Sequence, residues 1–274
     1  MKCFVLLHPQ SKQLINYNES FTSEVDVAKV SCGTTVVEGC DFSEARDFWP
    51  NYASWNSALF ETSVILTVWK HIDKLITDQV AFLHSDVEIN YDKGYTWDNI
   101  RKLANETNIG LTSPIIFKNS FNEFVIRDQR LHPKNDPMFE SDFDFGINIW
   151  DYIKKYDHDM YDWAVNTQPQ LIYAHQFACN KEVFYGLGEY LMNIVNMVKL
   201  NECGLWTPHI FERLIGLYLT KYSQSINTTA FWHHQSSGFG DNKLYGHRPV
   251  MYYSTARHYQ HVKSSLNPIE PVRI

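Results

Sequence analysis

The run Val80-Ala81-Phe82-Leu83-His84 passes directly into Ser85-Asp86-Val87-Glu88, and no other feature limits the possible folds of this chain as tightly. A continuous apolar run of this length, ending abruptly in polar residues, is expected of a central strand buried on both faces by helices. Such a strand stops at the carboxyl edge of its sheet, where open α/β sheets bind ligands, and here that edge receives two carboxylates. In extended backbone, residues two apart point to the same side, so Asp86 and Glu88 share a face while Val87 turns toward the core. Two hard oxygen donors in that relation suit one Mg²⁺ or Mn²⁺ and leave coordination positions open for diphosphate oxygens.

The pattern on either side agrees with an α/β architecture: a central mixed, mostly parallel sheet flanked by helices. Residues 3–7 predict a short opening strand, and residues 32–39, with Val36 and Val37 between glycines, a second. Apolar and small residues at Leu59, Thr62, Ser63, Leu66, Trp69 and Ile72 predict one helix over 55–76, capped by Ser54 or Asn51. Further on, a helix is expected over 98–107, a strand over 109–117, a charged loop over 118–142 and a strand over 173–179. Helices are expected over 181–200 and 210–222, and the His- and Tyr-rich remainder from Ser223 predicts a tail that wraps the active face. No repeat, low-complexity tract or linker interrupts residues 1–274, so one domain is expected. Within it, residues 1–117 are taken as the first half and 118–274 as the second half with the tail.

Charge then narrows the ligands. With 24 Lys and Arg against 31 Asp and Glu, the net charge of −7 argues against a nucleic-acid partner, and a phosphorylated substrate needs local help from a metal or placed cations. The five cysteines, Cys3, Cys32, Cys40, Cys179 and Cys203, are odd in number and scattered, which fits a reducing, cytoplasmic setting. No apolar run is long enough for a transmembrane segment. There is no phosphate-binding Gly-rich loop ending in Lys-Ser/Thr, no Gly-x-Ser-x-Gly elbow and no Gly-x-Gly-x-x-Gly fingerprint, so kinase, serine hydrolase and nicotinamide dehydrogenase readings lose their usual signals.

The segment 80–88 resembles the strand and Asp-x-Asp-type motif of the GT-A class of nucleotide-sugar glycosyltransferases, with Glu in the second acidic place. Three more blocks are similar to a capsular-polysaccharide type of GT-A-like family that carries an uncharacterised-domain label, with members in bacterial capsule loci and large algal viruses. They are Glu61-Thr62-Ser63-Val64-Ile65-Leu66-Thr67-Val68-Trp69-Lys70-His71, Phe177-Ala178-Cys179-Asn180-Lys181-Glu182-Val183-Phe184, and Phe211-Glu212-Arg213-Leu214-Ile215-Gly216-Leu217-Tyr218-Leu219. The resemblance implies a GT-A-like domain that moves a sugar from a nucleotide-diphosphate donor, UDP-sugar before GDP-sugar, to a glycan hydroxyl. Asp86 and Glu88 then hold Mn²⁺ or Mg²⁺, or the longer Glu88 acts through water or on the ribose.

The same resemblance puts Glu212 where inverting members carry the base for the acceptor hydroxyl; a pair with Arg213, or stabilisation of the helix start, is the plainer role for that carboxylate. It also implies a late histidine as a further metal ligand. His233, His234, His247 and His258 are the candidates, His234 first, and each is by default a surface imidazole. Arg248, ahead of Lys243 and Arg257, can meet diphosphate oxygens, although solvated charge is the default. Trp206, Trp232 and Tyr245 can stack on a sugar or fill core, and Asp142 and Asp144 are weaker acid candidates. Two other functions remain open: a metal-dependent phosphoesterase using Asp86, Glu88 and the late histidines, and a carbohydrate-binding protein without catalysis.

Overall fold

A computed structural model describes residues 1–7, 25–49, 52–85, 87–89, 96–106, 109–111, 149–167, 176–197, 207–222 and 231–233. Strand β1 (Lys2–Leu7) lies between β2 (Asp26–Ser31) and β4 (Gln79–His84), parallel to both. Beyond β2 lies the short parallel β3 (Phe42–Ser43). Past β4 the sheet turns antiparallel, first through β7 (Phe177–Asn180) and then through β6 (Ile109–Leu111). The order is therefore β3-β2-β1-β4-β7-β6, with β7 alone reversed, so the sheet is mixed and mostly parallel as expected. A separate two-stranded ribbon joins β5 (Val87–Ile89) to β8 (Phe231–His233), antiparallel.

Side-chain alternation along β1 and β4 sends residues to two cores. Phe4, Leu6, Val80 and Phe82 enter the larger one, beneath α3 (Glu61–Lys70), α8 (Lys181–Met197) and α9 (Thr207–Tyr222). Cys3, Val5, Leu7, Ala81 and Leu83 enter the smaller one with Trp97 and Ile100 of α5 (Trp97–Glu106). The run that reads as a strand buried on both faces is that strand. Phe82 is its anchor, with ring centroids 5.5 Å from Phe4, 5.2 Å from Phe177 and 5.3 Å from Phe184. Burying one such side chain contributes about 1.5–3 kcal/mol.

Capping residues set several helix starts. Asn180 Oδ1 accepts the Val183 N–H at 2.8 Å at the head of α8. Thr96 and Asn99 exchange bonds before α5, Thr96 Oγ1 accepting the Asn99 N–H at 3.2 Å and Asn99 Oδ1 accepting the Thr96 N–H at 3.0 Å. Asp157 Oδ1 accepts the Met160 N–H at 3.0 Å between α6 (Ile149–Tyr156) and α7 (His158–Thr167).

Two sequence expectations are corrected. Residues 32–39 are not a strand: Gly33 and Gly39 take φ of 73° and 79°, and Ser31 Oγ donates to the Thr35 carbonyl and accepts the Val37 N–H, closing a turn after β2. The helix expected over 55–76 is interrupted. A 3₁₀ turn (Ala53–Trp55) leads into α2 (Asn56–Leu59); the chain breaks at Phe60, resumes as α3, and breaks again at His71 before α4 (Ile72–Leu75). The helices α6 and α7 are additions that the sequence pattern did not reveal. Residues 112–148, which hold most of the expected strand 109–117, the loop 118–142, Asp142 and Asp144, lie outside the described residues.

Candidate functional site at the carboxyl edge

Strand order locates the binding edge. From β1 the chain steps outward to β2 and β3, then crosses back to lay β4 on the other side of β1. The reversal makes the carboxyl ends of β1 and β4 a topological switch point, where open α/β sheets accommodate ligands. His84 closes β4 at that point, and Ser85, 4% exposed, follows it. Asp86 lies outside the described residues, and the chain continues as β5.

The ribbon brings the late part of the chain to this motif. Val87 stands opposite His233, Glu88 opposite Trp232 and Ile89 opposite Phe231. Two late residues singled out from the sequence thus share a ribbon with the acidic segment. His234 follows His233 but lies outside the described residues, as do Trp206, Lys243, Tyr245, His247, Arg248, Arg257 and His258. Among the described residues no three His, Cys, Asp or Glu side chains converge on one point suitable for a metal. The donor set that tests metal binding, Asp86 and Glu88 with an imidazole following His233, is of the oxygen and nitrogen type that Mn²⁺ and Mg²⁺ accept, the imidazole suiting Mn²⁺ better.

Beside the switch point lies a polar cluster without a sequence signal. Glu44 opens α1 (Glu44–Asp47) and is fully buried. Its Oε2 accepts the Gly33 N–H at 2.9 Å, and its Oε1 accepts the Thr67 hydroxyl at 2.9 Å. Ser63 Oγ lies 2.9 Å from both Glu44 Oε2 and the Phe60 carbonyl, so its single proton serves one of them at a time. These bonds offset the desolvation of a buried carboxylate and tie the turn after β2 to the start of α3. Glu61, the first residue of α3, has Oε1 3.7 Å from His84 Nε2, which joins the same helix to the end of β4. Burial first, and then the charges of Glu61 and Glu44, push the Cys32 thiol well above its ordinary range. A thiol so held is inert as a nucleophile or a thiolate ligand.

Glu212 lies in the first half of α9, which packs on α8. Tyr218 packs on Tyr190 with centroids 5.1 Å apart, and α8 starts at the amino edge, where the Lys181 N–H donates to the Asp78 carbonyl. α9 also packs on α2. Glu212 Oε2 is 3.7 Å from Arg213 Nη1, and the two side chains are 16% and 3% exposed. The pair anticipated from sequence is present, in a partly desolvated setting compatible with either role.

The mixed, mostly parallel sheet with its single reversed strand β7 and its flanking helices forms a GT-A-like α/β domain. The apo structure of WbbM, a bifunctional glycosyltransferase, aligns with this chain at a TM-score of 0.57 and 17% identity, over 85% of this chain and 45% of that one. The chain thus spans under half the length of that protein, and the likeness is one of fold. The Mn/GDP form of core-mannan synthase A (CmsA/Ktr4) from Aspergillus fumigatus aligns at a TM-score of 0.37 and 10% identity, over 80% of this chain and 69% of that one, too distant to inform fold or ligand. No family description and no curated protein sequence matches the chain.

Proposed function

We propose that this chain is a metal-dependent glycosyltransferase that moves a sugar from a nucleotide-diphosphate donor, UDP-sugar before GDP-sugar, to a glycan hydroxyl. The observation that supports this reading is that β4, a strand buried on both faces, ends at the switch point of a GT-A-like sheet, with Ser85 next and Asp86 following in the sequence. Asp86, with Glu88 and His234, would hold Mn²⁺ or Mg²⁺, and Arg248 would meet the diphosphate. When bound, the cation supplies positive charge that offsets the charge growing on the leaving diphosphate. The need for it follows from the net charge of −7, which otherwise disfavours a diphosphate ligand. Glu212 takes the acceptor proton if transfer inverts the anomeric centre. Residues 1–117 form the donor side in this scheme and 118–274 the acceptor side. A cytoplasmic setting accords with free thiols at Cys3, Cys32, Cys40 and Cys179. No helix among the described residues is long and apolar enough to cross a membrane.

The test is calorimetry with UDP and GDP, with and without Mn²⁺, on wild-type protein, Asp86→Asn and Glu88→Gln. Wild type binds one nucleotide only with Mn²⁺, Asp86→Asn loses that binding at unchanged Tm, and Glu88→Gln weakens it less. Equal affinity in Asp86→Asn and wild type would remove the metal assignment. Oligosaccharide binding without nucleotide would instead identify a carbohydrate-binding protein.

A further inference from the structure

Glu44 is fully buried, and its hydrogen bonds join two elements that are well separated in the sequence. Oε2 accepts the Gly33 N–H at 2.9 Å, from the turn after β2. On α3, Thr67 donates to Oε1 at 2.9 Å and Ser63 Oγ lies 2.9 Å from Oε2. A second side chain repeats the link. Asn56 packs so closely on Gly33 that a Cβ there would lie 2.9 Å from Asn56 Oδ1, and Asn56 Nδ2 donates to Ser63 Oγ at 3.2 Å. Ser31 closes the turn from within, donating to the Thr35 carbonyl at 2.7 Å and accepting the Val37 N–H at 2.9 Å.

Both joined elements border the switch point. The Cys32 N–H donates to the Leu7 carbonyl at 2.9 Å, so the turn begins beside the end of β1, one strand spacing of about 4.8 Å away. On the far side of β1, Glu61 at the head of α3 faces His84, the last residue of β4. Glu44 thus braces the two flanks of the β1–β4 edge against each other. The backbone of the turn is held from inside the protein, while Thr34, Thr35 and Val36 are exposed.

Stability alone gives little reason for a carboxylate in this place. Removing a charge from water is costly, and apolar side chains of like volume often serve a core equally well. A satisfied polar network adds direction instead, because it fixes backbone groups in one arrangement.

We infer that Glu44 is a positioning residue for donor binding: through Gly33, Ser63 and Thr67 it fixes the turn 33–37 as a rigid wall beside the β1–β4 switch. The inference rests on the transferase reading and adds to it a residue outside the acidic motif, one that acts on the donor only through the turn it holds. A wall formed in advance strengthens binding because less ordering is left to the binding step.

The test compares wild type, Glu44→Gln, Glu44→Ala and the double variant Ser63→Ala/Thr67→Val. Gln keeps an oxygen for the Gly33 N–H and a polar group for the hydroxyls, and Ala removes the tie. The double variant frees Glu44 from α3 while leaving its bond to Gly33. Each protein is melted, then titrated with UDP and GDP in the presence of Mn²⁺ at a temperature where its melting curve shows only folded protein. Hydrogen exchange over residues 32–37 is followed by mass spectrometry at that temperature. Glu44→Ala and the double variant should bind nucleotide about tenfold more weakly and exchange faster over 32–37, and Glu44→Gln should stay close to wild type in both. A purely structural carboxylate would lower the Tm yet leave the affinity of the folded protein unchanged. That result, in whichever of the two weakened variants melts cooperatively, overturns the inference and leaves the transferase reading standing. Equal loss in Glu44→Gln and Glu44→Ala also overturns it, by assigning the effect to charge and not to the bonds. Wild-type protein that binds neither nucleotide overturns the inference and the transferase reading together.

Discussion

At the scale of single residues, the pair Glu212 and Arg213 poses the sharpest question, because a carboxylate 3.7 Å from a guanidinium that is 3% exposed is equipped for two tasks. As a base it needs partial desolvation and access to the acceptor; as a structural anion it needs only its neighbour. Glu212→Gln keeps the shape and most of the hydrogen bonding but cannot take up a proton. For an inverting enzyme the expected outcome is unchanged donor affinity, an unchanged Tm and turnover lower by ~10²–10⁴-fold. A lowered Tm with binding and turnover lost together would mark the carboxylate as the partner of Arg213 alone. Normal turnover at normal Tm would exclude both roles. Glu44 and Phe60 had no comparable signal. A buried Glu reads in sequence like a surface one, and Phe60 lies within an apolar periodicity that continues from Leu59 through Leu66 as though the helix were unbroken.

At the scale of elements, legibility followed the share of each segment that enters the core. Helix α8 was legible because Phe184, Leu187, Leu191, Ile194 and Val195 all enter the larger core at helical spacing. In α6 and α7 the described side chains within the core are Ile153, Met160 and Ala164, with Tyr156, Tyr161 and Trp163 partly buried against it, and the lysines and aspartates between them blur that stripe in the sequence. Three-residue strands such as β5 and β8 carry no usable period, and their pairing is a tertiary fact. Of the tail expected over the active face, residues 231–233 pair with β5 and the rest lies outside the described residues. Packing between elements also reverses one local rule. Replacing a glycine inside a helix by alanine ordinarily stabilises by about 1 kcal/mol. At Gly188 of α8, however, a Cβ would be driven into the Trp69 ring of α3. Trp69 is itself packed against the larger core, with its centroid 6.4 Å from Tyr185, so it has little room to yield. Overpacking typically costs about 1–3 kcal/mol, which outweighs the propensity gain. Gly188→Ala should therefore lower the Tm by a few degrees in thermal melts. A raised Tm would show that the two helices separate without cost.

At the scale of the whole molecule, the proposed site and the larger sheet can be tested apart. The two cores draw, among the described side chains, on the six-stranded sheet and its helices, and β5 and β8 pair in a ribbon separate from that sheet. The ribbon instead sets late residues against the acidic segment, with His233 opposite Val87 and Trp232 opposite Glu88. A chain ending at residue 230 removes β8 while leaving every strand of the larger sheet intact. Cooperative unfolding should survive, with a Tm lower by no more than a few degrees, because the principal buried aromatics Phe4, Phe82, Phe177, Phe184 and Phe211 all remain. Metal-dependent nucleotide binding should fall at least tenfold, since β5 loses its partner strand and the proposed imidazole and arginine ligands go with it. Melting and nucleotide titration on one preparation decide the matter. Full binding by the shortened chain would confine donor recognition to residues before 231 and remove His234 and Arg248 from the site. Loss of cooperative melting would show instead that the late segment is part of the folding unit, and that sheet and ribbon cannot be assigned separate work.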